Sequence, residues 1–528
     1  MNELDRRNFL RLAGLGTAAA LAVTREAGAQ ETGTALEELT IAEMQGMSSR
    51  SLTAAYLARI DALDEHGPQV NSVIELNPDA LDIADALDRE RKSGRVRGPL
   101  HGIPILIKDN IDTADRMHTT AGSLALSENI ALRDAFVVKR LREAGVVILG
   151  KTNLSEWANF RSSHSTSGWS GRGGLTRNPY ALDRNACGSS SGTGAAIASA
   201  FAAVGVGTET DGSVVCPSSA NGLVGLKPTV GAVSRSGIIP ISHSQDTAGP
   251  MARTVTDAAI LFAAMTGIDS LDSVTARSRN HTHADYTKFL DRDGLRGARI
   301  GVARKSFGFN DATDRVMKDA IETIKKLGAT VIDPADIPTA GKFDDSEFEV
   351  LLYEFKADLN AYLAQLPPHV KPRTLADLIR FNEENREREM PYFGQELFEQ
   401  AEKKGPLTDD AYKKALAKNH RLAGAEGIDA ALAKHKVDAL IAPTGGPVWC
   451  TDLINGDHYT GGYSSASAVA GYPHITVPAG AVFGLPVGLS FFAGAWSEPT
   501  LFKFAYAFEQ ATKARRTPRF AATTGAHA

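Results

Sequence analysis

Cysteine is scarce in this chain, with three in 528 residues. Cys187, Cys216 and Cys450 stand at no metal-ligand spacing, so neither a zinc nor an iron–sulfur framework is expected, and the metal reading is none. Each thiol reads by default as a small buried hydrophobe. A Cys187–Cys216 bridge stays open, because it would join two segments that carry the chemistry below. Charge of one sign is not in surplus either: 57 Lys and Arg against 62 Asp and Glu leave a net charge of -5. That removes the basic footprint that phosphate neutralisation needs, and with it nucleic acid as an expected partner. Long apolar runs are also missing. The stretch Leu12–Val23 falls well short of the roughly 20 residues that cross a bilayer, so no stable membrane insertion is expected. No internal repeat and no low-complexity linker divides the chain, which favours one large domain over two.

What is present begins at the amino terminus. Arg6 and Arg7 precede Asn8-Phe9-Leu10 and the mild apolar run, and Ala27-Gly28-Ala29 supplies a small-x-small cleavage pattern. Residues 1–29 therefore read as a twin-arginine export signal and 30–528 as the mature protein, expected in the periplasm or outside the cell.

Helical spacing of Leu52, Tyr56, Ile60 and Leu63 predicts a helix over 51–63, with Ser48 and Ser49 as candidate caps. Short apolar runs at 103–107 and 146–149 predict buried strands separated by a helix over 135–144. A strand over 300–302, a helix over 312–327 closed by Gly328 and a strand over 330–332 make an α/β unit. Residues 343–436 read as a charged, helix-favouring elaboration, after which strands return at 439–442 and 488–492. A last helix opens at Ser497-Glu498-Pro499.

Glycine and serine concentrate between Cys187 and Gly231 without loss of apolar character, as CGSSSGTG, a helix-like stretch over 195–203, a strand over 204–206, and GTETDGS. Glycine turns let several N–H groups converge on one point, which is how an oxyanion is stabilised. If Ser213 attacks a carbonyl, the amides of Thr210, Asp211 and Gly212, with that of Ser213, lie in the same turn. A serine needs a base, and Lys108 is the candidate. It ends a buried apolar strand, where burial lowers a lysine's pKa towards the working range.

These residues resemble the amidase signature family across the whole mature chain. The resemblance rests on His101-Gly102-Ile103-Pro104 through Lys108-Asp109-Asn110, Gly150 to Asn153, the Gly/Ser block, Leu226-Lys227-Pro228-Thr229, Ser244-Gln245-Asp246 and Gly249-Pro250. It implies a single α/β domain with a central mixed β-sheet surrounded by helices. It also implies a Ser-Ser-Lys triad with Ser213 as nucleophile, Ser189 as relay after a cis Gly188–Ser189 peptide and Lys108 as base, needing no metal or organic cofactor. The implied substrate is a small-molecule or peptide amide, hydrolysed through an acyl-serine, by a monomer or homodimer. Cys187 and Ser191 replace family glycines, and Glu209 and Asp211 are further departures; the Asp211 side chain must point away from the oxyanion. GTETDGS, NLSEWANFRS from Asn153 to Ser162, and SGWS from Ser167 to Ser170 look most like the peptide amidase branch.

Other readings compete. Gly188-Ser189-Ser190-Ser191-Gly192 matches a G-x-S-x-G nucleophile elbow with Ser190 as nucleophile and Asp457 and His458 as the later Asp and His, but no strand precedes it and adjacent residues on one strand would point apart. The amidase component of an aminoacyl-tRNA amidotransferase is a second, which the export signal opposes. A non-catalytic amide-binding protein is a third. Trp157, Phe160 and Trp169 read as packing before pocket wall. His101 reads as a turn residue held by backbone.

Overall fold

The computed structural model describes residues 36–525; the expected export signal lies outside them. Thirteen strands form in chain order: β1 (Val73–Leu76), β2 (Pro104–Lys108), β3 (Val147–Thr152), β4 (Trp169–Ser170), β5 (Gly174–Leu175), β6 (Val204–Glu209), β7 (Val224–Lys227), β8 (Thr247–Ala252), β9 (Arg299–Val302), β10 (Thr330–Ile332), β11 (Ala439–Pro443), β12 (His474–Val482) and β13 (Leu485–Phe492). Eleven of them make one sheet in the order β1-β3-β2-β6-β8-β7-β12-β13-β11-β9-β10, while β4 and β5 pair separately. The pairs β3–β2, β2–β6, β11–β9 and β9–β10 are parallel and the others antiparallel, the mixed sheet that was expected. Helices cover both faces, so β2, β3 and β6 are buried along their whole length and read as continuous apolar runs.

Local signals explain most element ends. The first long helix is Ser49–Ile60, with Ser48 Oγ accepting from the Ser51 N–H at 3.2 Å. Asn310 caps Asp311–Lys326 in the same way, and Gly328 beyond its end takes φ +90°. Residues 343–436 are helical as predicted, beginning with Asp344–Leu363.

One helix is displaced by about a turn from its expected place. The helix expected over 195–203 runs Ser191–Ala198 instead, beginning inside the glycine block. Gly192 and Gly194 serve close packing here. A Cβ on Gly192 would sit 2.3 Å from the Asn153 carbonyl oxygen, and one on Gly194 2.8 Å from Asn221 Nδ2. The chain then leaves the helix at Ala200, whose φ is +56°.

The helical elaboration has its own apolar cluster, built from Phe355, Leu359 and Phe398 with Trp157 and Phe160. Trp157 meets Phe398 edge-on at 5.8 Å between centroids and Phe160 meets Phe355 at 4.9 Å. Trp169 packs on Phe393 at 5.2 Å. These three aromatics clamp the helical layer to the sheet, in line with the packing reading.

Candidate active site

Because β2 and β6 are parallel neighbours, paired through Ile107 and Val206, their carboxyl ends emerge side by side. Lys108 ends β2 and Thr208 nears the end of β6. Lys108 Nζ, fully buried, reaches Ser189 Oγ at 2.7 Å, Thr208 Oγ1 at 2.9 Å and the Thr208 carbonyl at 3.2 Å. Asn110 Nδ2 donates to the same Thr208 hydroxyl at 3.0 Å. A neutral amine fits these partners by donating to the two Thr208 oxygens and accepting from the Ser189 hydroxyl. Burial pushes Lys108 down from the ordinary lysine value, Asp246 and Glu209 pull it back up, and the balance is about 7.

Ser189 follows a cis Gly188–Ser189 peptide and precedes the helix Ser191–Ala198. Ser213 lies in the next turn. Its carbonyl accepts from the Ser190 N–H at 3.2 Å, which seats the two serine turns against each other. Ser213 Oγ makes no hydrogen bond among the described residues, to Ser189 or any other group.

The donors for a developing oxyanion are narrower than the sequence implied. Gly212, at φ +78°, gives its N–H to Glu209 Oε1 at 2.9 Å, which takes it out of the expected set. Among the described residues the N–H groups of Thr210, Asp211 and Ser213 have no acceptor. Asp211 turns its carboxylate to Ser465 Oγ at 2.6 Å, away from those donors as its position requires, and burial raises it above the usual range.

Glu209 was legible only as a departure from the family pattern. In the structure it braces the Ser213 turn from both sides: Oε1 holds Gly212, and Oε2 accepts from Val214 at 2.7 Å and Val215 at 3.1 Å. Burial raises its carboxyl, opposed chiefly by the buried Lys227 ammonium. An acid four residues before a serine, at the mouth of a helix whose first N–H groups lack partners, was the available signal.

Cys187 and Cys216 are joined by a disulfide, with Cα atoms 6.0 Å apart, and Cys450 is free and exposed. This corrects the default reading of three buried thiols. The bridge links the two glycine turns that carry the serines.

The elbow reading finds no support in the geometry. Ser190 Oγ is bound to the Thr208 backbone, donating at 3.1 Å and accepting at 3.2 Å. His458 is exposed, and Asp457 is engaged by Ser167, Asn185 and Trp449. His101 is buried with Nε2 at 3.0 Å from the Leu87 carbonyl, a residue held by backbone as expected.

A cavity of about 680 Å³ opens beside this cluster. Asn110, Thr208, Thr210 and Asp246 form its floor, Ile238–Ile241 one wall and Tyr362 from the helical layer another. Leu132 and Leu271, both exposed, stand on its rim.

A buried lysine bonded to a serine thus stands beside a second serine in a glycine turn, on a large mixed sheet. The family model described as Amidase matches residues 51–502, and the chain belongs to that family. It is a hydrolase of amide C–N bonds. It is similar to the crystal structure of native peptide amidase from Stenotrophomonas maltophilia, at 52% identity and a TM-score of 0.87, covering 92% of this chain and 99% of that one. A probable amidase of Arabidopsis thaliana is 42% identical over 92% of each chain. A glutamyl-tRNA(Gln) amidotransferase subunit of Halorhodospira halophila is 33% identical, over 90% of this chain and 98% of that protein.

Proposed function

We propose that the chain removes ammonia from carboxy-terminal amides of peptides, with Ser213 as nucleophile, Ser189 as relay and Lys108 as base. The observation that carries this is the 2.7 Å contact between a fully buried Lys108 and Ser189. Ser213 Oγ attacks the amide carbon as its proton passes to Ser189 and that of Ser189 to Lys108. The oxygen's developing charge meets the N–H groups of Thr210, Asp211 and Ser213. Collapse returns the proton through Ser189 to the leaving nitrogen, ammonia departs, and water attacks the acyl-serine by the same relay. Cavity size and the likeness to a peptide amidase favour a peptide over a short aliphatic amide.

The test is ammonia release from carboxy-amidated dipeptides and tripeptides, aryl amides and aliphatic amides. The peptide amides should give the highest kcat/KM, with internal peptide bonds intact. Preference for short aliphatic amides would overturn the substrate reading. Activity of the purified chain alone separates it from a component of an amidotransferase, and fluorophosphonate labelling of Ser213 separates it from a binding protein.

Glu209→Gln should lower kcat by about 10- to 100-fold with little change in KM, since one amide oxygen cannot hold three N–H groups. Single-turnover acylation rates check this. Export to the periplasm by the twin-arginine segment is the proposed localisation, supported by the disulfide. Retention of an Arg6→Lys/Arg7→Lys double variant in the cytoplasm would support it, and unaltered export would count against this route.

A further inference from the structure

The two serines reach the site on separate turns, which are tied to each other by a few hydrogen bonds and one covalent link. Lys108 holds Ser189, and Glu209 holds the turn around Ser213. Between the turns, the Ser190 N–H donates to the Ser213 carbonyl, Ser190 Oγ bonds the Thr208 backbone, and Asn221 Nδ2, at the end of the helix that carries Cys216, donates to the Ala186 carbonyl at 2.9 Å. The remaining connection is covalent. Cys187 lies two residues before Ser189 and Cys216 three residues after Ser213, and the disulfide closes that pair outside the relay.

We infer that the Cys187–Cys216 disulfide is a positioning element of the Ser189–Ser213 relay, setting the distance over which the proton is passed. The inference rests on the proposed Ser-Ser-Lys mechanism. Proton transfer needs oxygen atoms within hydrogen-bond reach, and a displacement of about 1 Å in a reacting pair lowers rates by about 100-fold. The segments on which the cysteines sit are otherwise well anchored. The Cys187 N–H donates to Asn185 Oδ1 at 2.7 Å, and the Cys216 N–H to the Gly212 carbonyl at 2.8 Å. Losing the bridge therefore leaves each turn folded and loosens their relative placement, which is then held by hydrogen bonds alone. Cys187 adopts φ +55°, a left-handed backbone that a non-glycine residue holds only when its surroundings impose it.

The experiment compares wild type, Cys450→Ala as thiol control, and Cys187→Ala/Cys216→Ala in full-length protein. Measured are kcat and KM for an amidated dipeptide, the rate of fluorophosphonate labelling of Ser213, and thermal unfolding. The double variant should lose at least about tenfold in both kcat and labelling rate at a temperature well below its Tm, with KM within about twofold of wild type. Cys450→Ala should match wild type in all of them. If the double variant does not fold, wild type treated with a water-soluble phosphine gives the same comparison. The phosphine is oxidised to its oxide, taking oxygen from water, and the disulfide receives two electrons and two protons to become two thiols. Reoxidation should then restore the labelling rate. A lowered Tm with kcat and labelling unchanged would overturn the inference, since a bridge that only stabilises the fold gives that result. Labelling reads the serine pair even if peptide amides prove not to be substrates, so failure of the substrate reading is distinguishable from failure of this one.

Discussion

Ser213→Ala should reduce kcat/KM for any amide the protein hydrolyses by a factor on the order of 10⁵, with the remaining rate set by binding and the oxyanion donors alone. The fold should not change, because Ser213 Oγ makes no hydrogen bond among the described residues and its carbonyl contact to Ser190 survives the substitution. Substrate affinity should persist while fluorophosphonate labelling disappears. His458→Ala should be indistinguishable from wild type, since His458 is exposed and makes no hydrogen bond among the described residues. Loss of turnover in His458→Ala with retention in Ser213→Ala would reverse the assignment.

Lys108→Ala should cost about 10⁴-fold, because the Ser189 proton is left without an acceptor. The pH profile gives the sharper test. In the proposed mechanism Lys108 works as the neutral amine, so activity should be lost as pH falls through its pKa near 7 and level off above it. The sign follows from burial, which favours the uncharged form and so places the limb well below the ordinary lysine value of about 10.4. Asp246, itself raised to about 6, is ionised over most of that limb and supports the ammonium. Asp246→Asn should therefore move the limb towards acid. Initial rates between about pH 5 and 9 measure both effects. A flat profile, or a Lys108→Ala variant with wild-type rates, would remove Lys108 from the mechanism.

Much of this site could be read from residue order, for a physical reason. Lys108 ends a run of five apolar residues, and a charge there has nowhere to go but the sheet interior. Ser189 and Ser213 stand out because glycine density marks backbone that must approach something closely. Glu209 was harder. Its part depends on which N–H groups a turn leaves unpaired, a matter of three-dimensional path that spacing does not encode. The Gly212 N–H fell from the donor set for the same reason. The disulfide stayed one of two options, since pairing depends on how β6 and the helix before it fold back, and nothing in the spacing of two cysteines decides that. The strand β8 gives little signal in the sequence, because Thr247–Ala252 contains Gly249 and Pro250, both poor strand formers. In the sheet Pro250 sits opposite Val206, and Gly249 lets the Leu226 carbonyl approach to 2.1 Å from where a Cβ would be.

The helical layer over 343–436 gives Asp358, Ala361, Tyr362 and Leu366 to the cavity, yet contributes nothing to the Lys108–Ser189–Thr208 contacts. One wall of the cavity is thus carried by a stretch of chain that can vary separately from the Lys108 and Ser189 contacts. Exchanging that layer between relatives should transplant a preference for one amide over another while the bond-breaking apparatus stays untouched, which makes it the natural segment to recombine when a new selectivity is wanted.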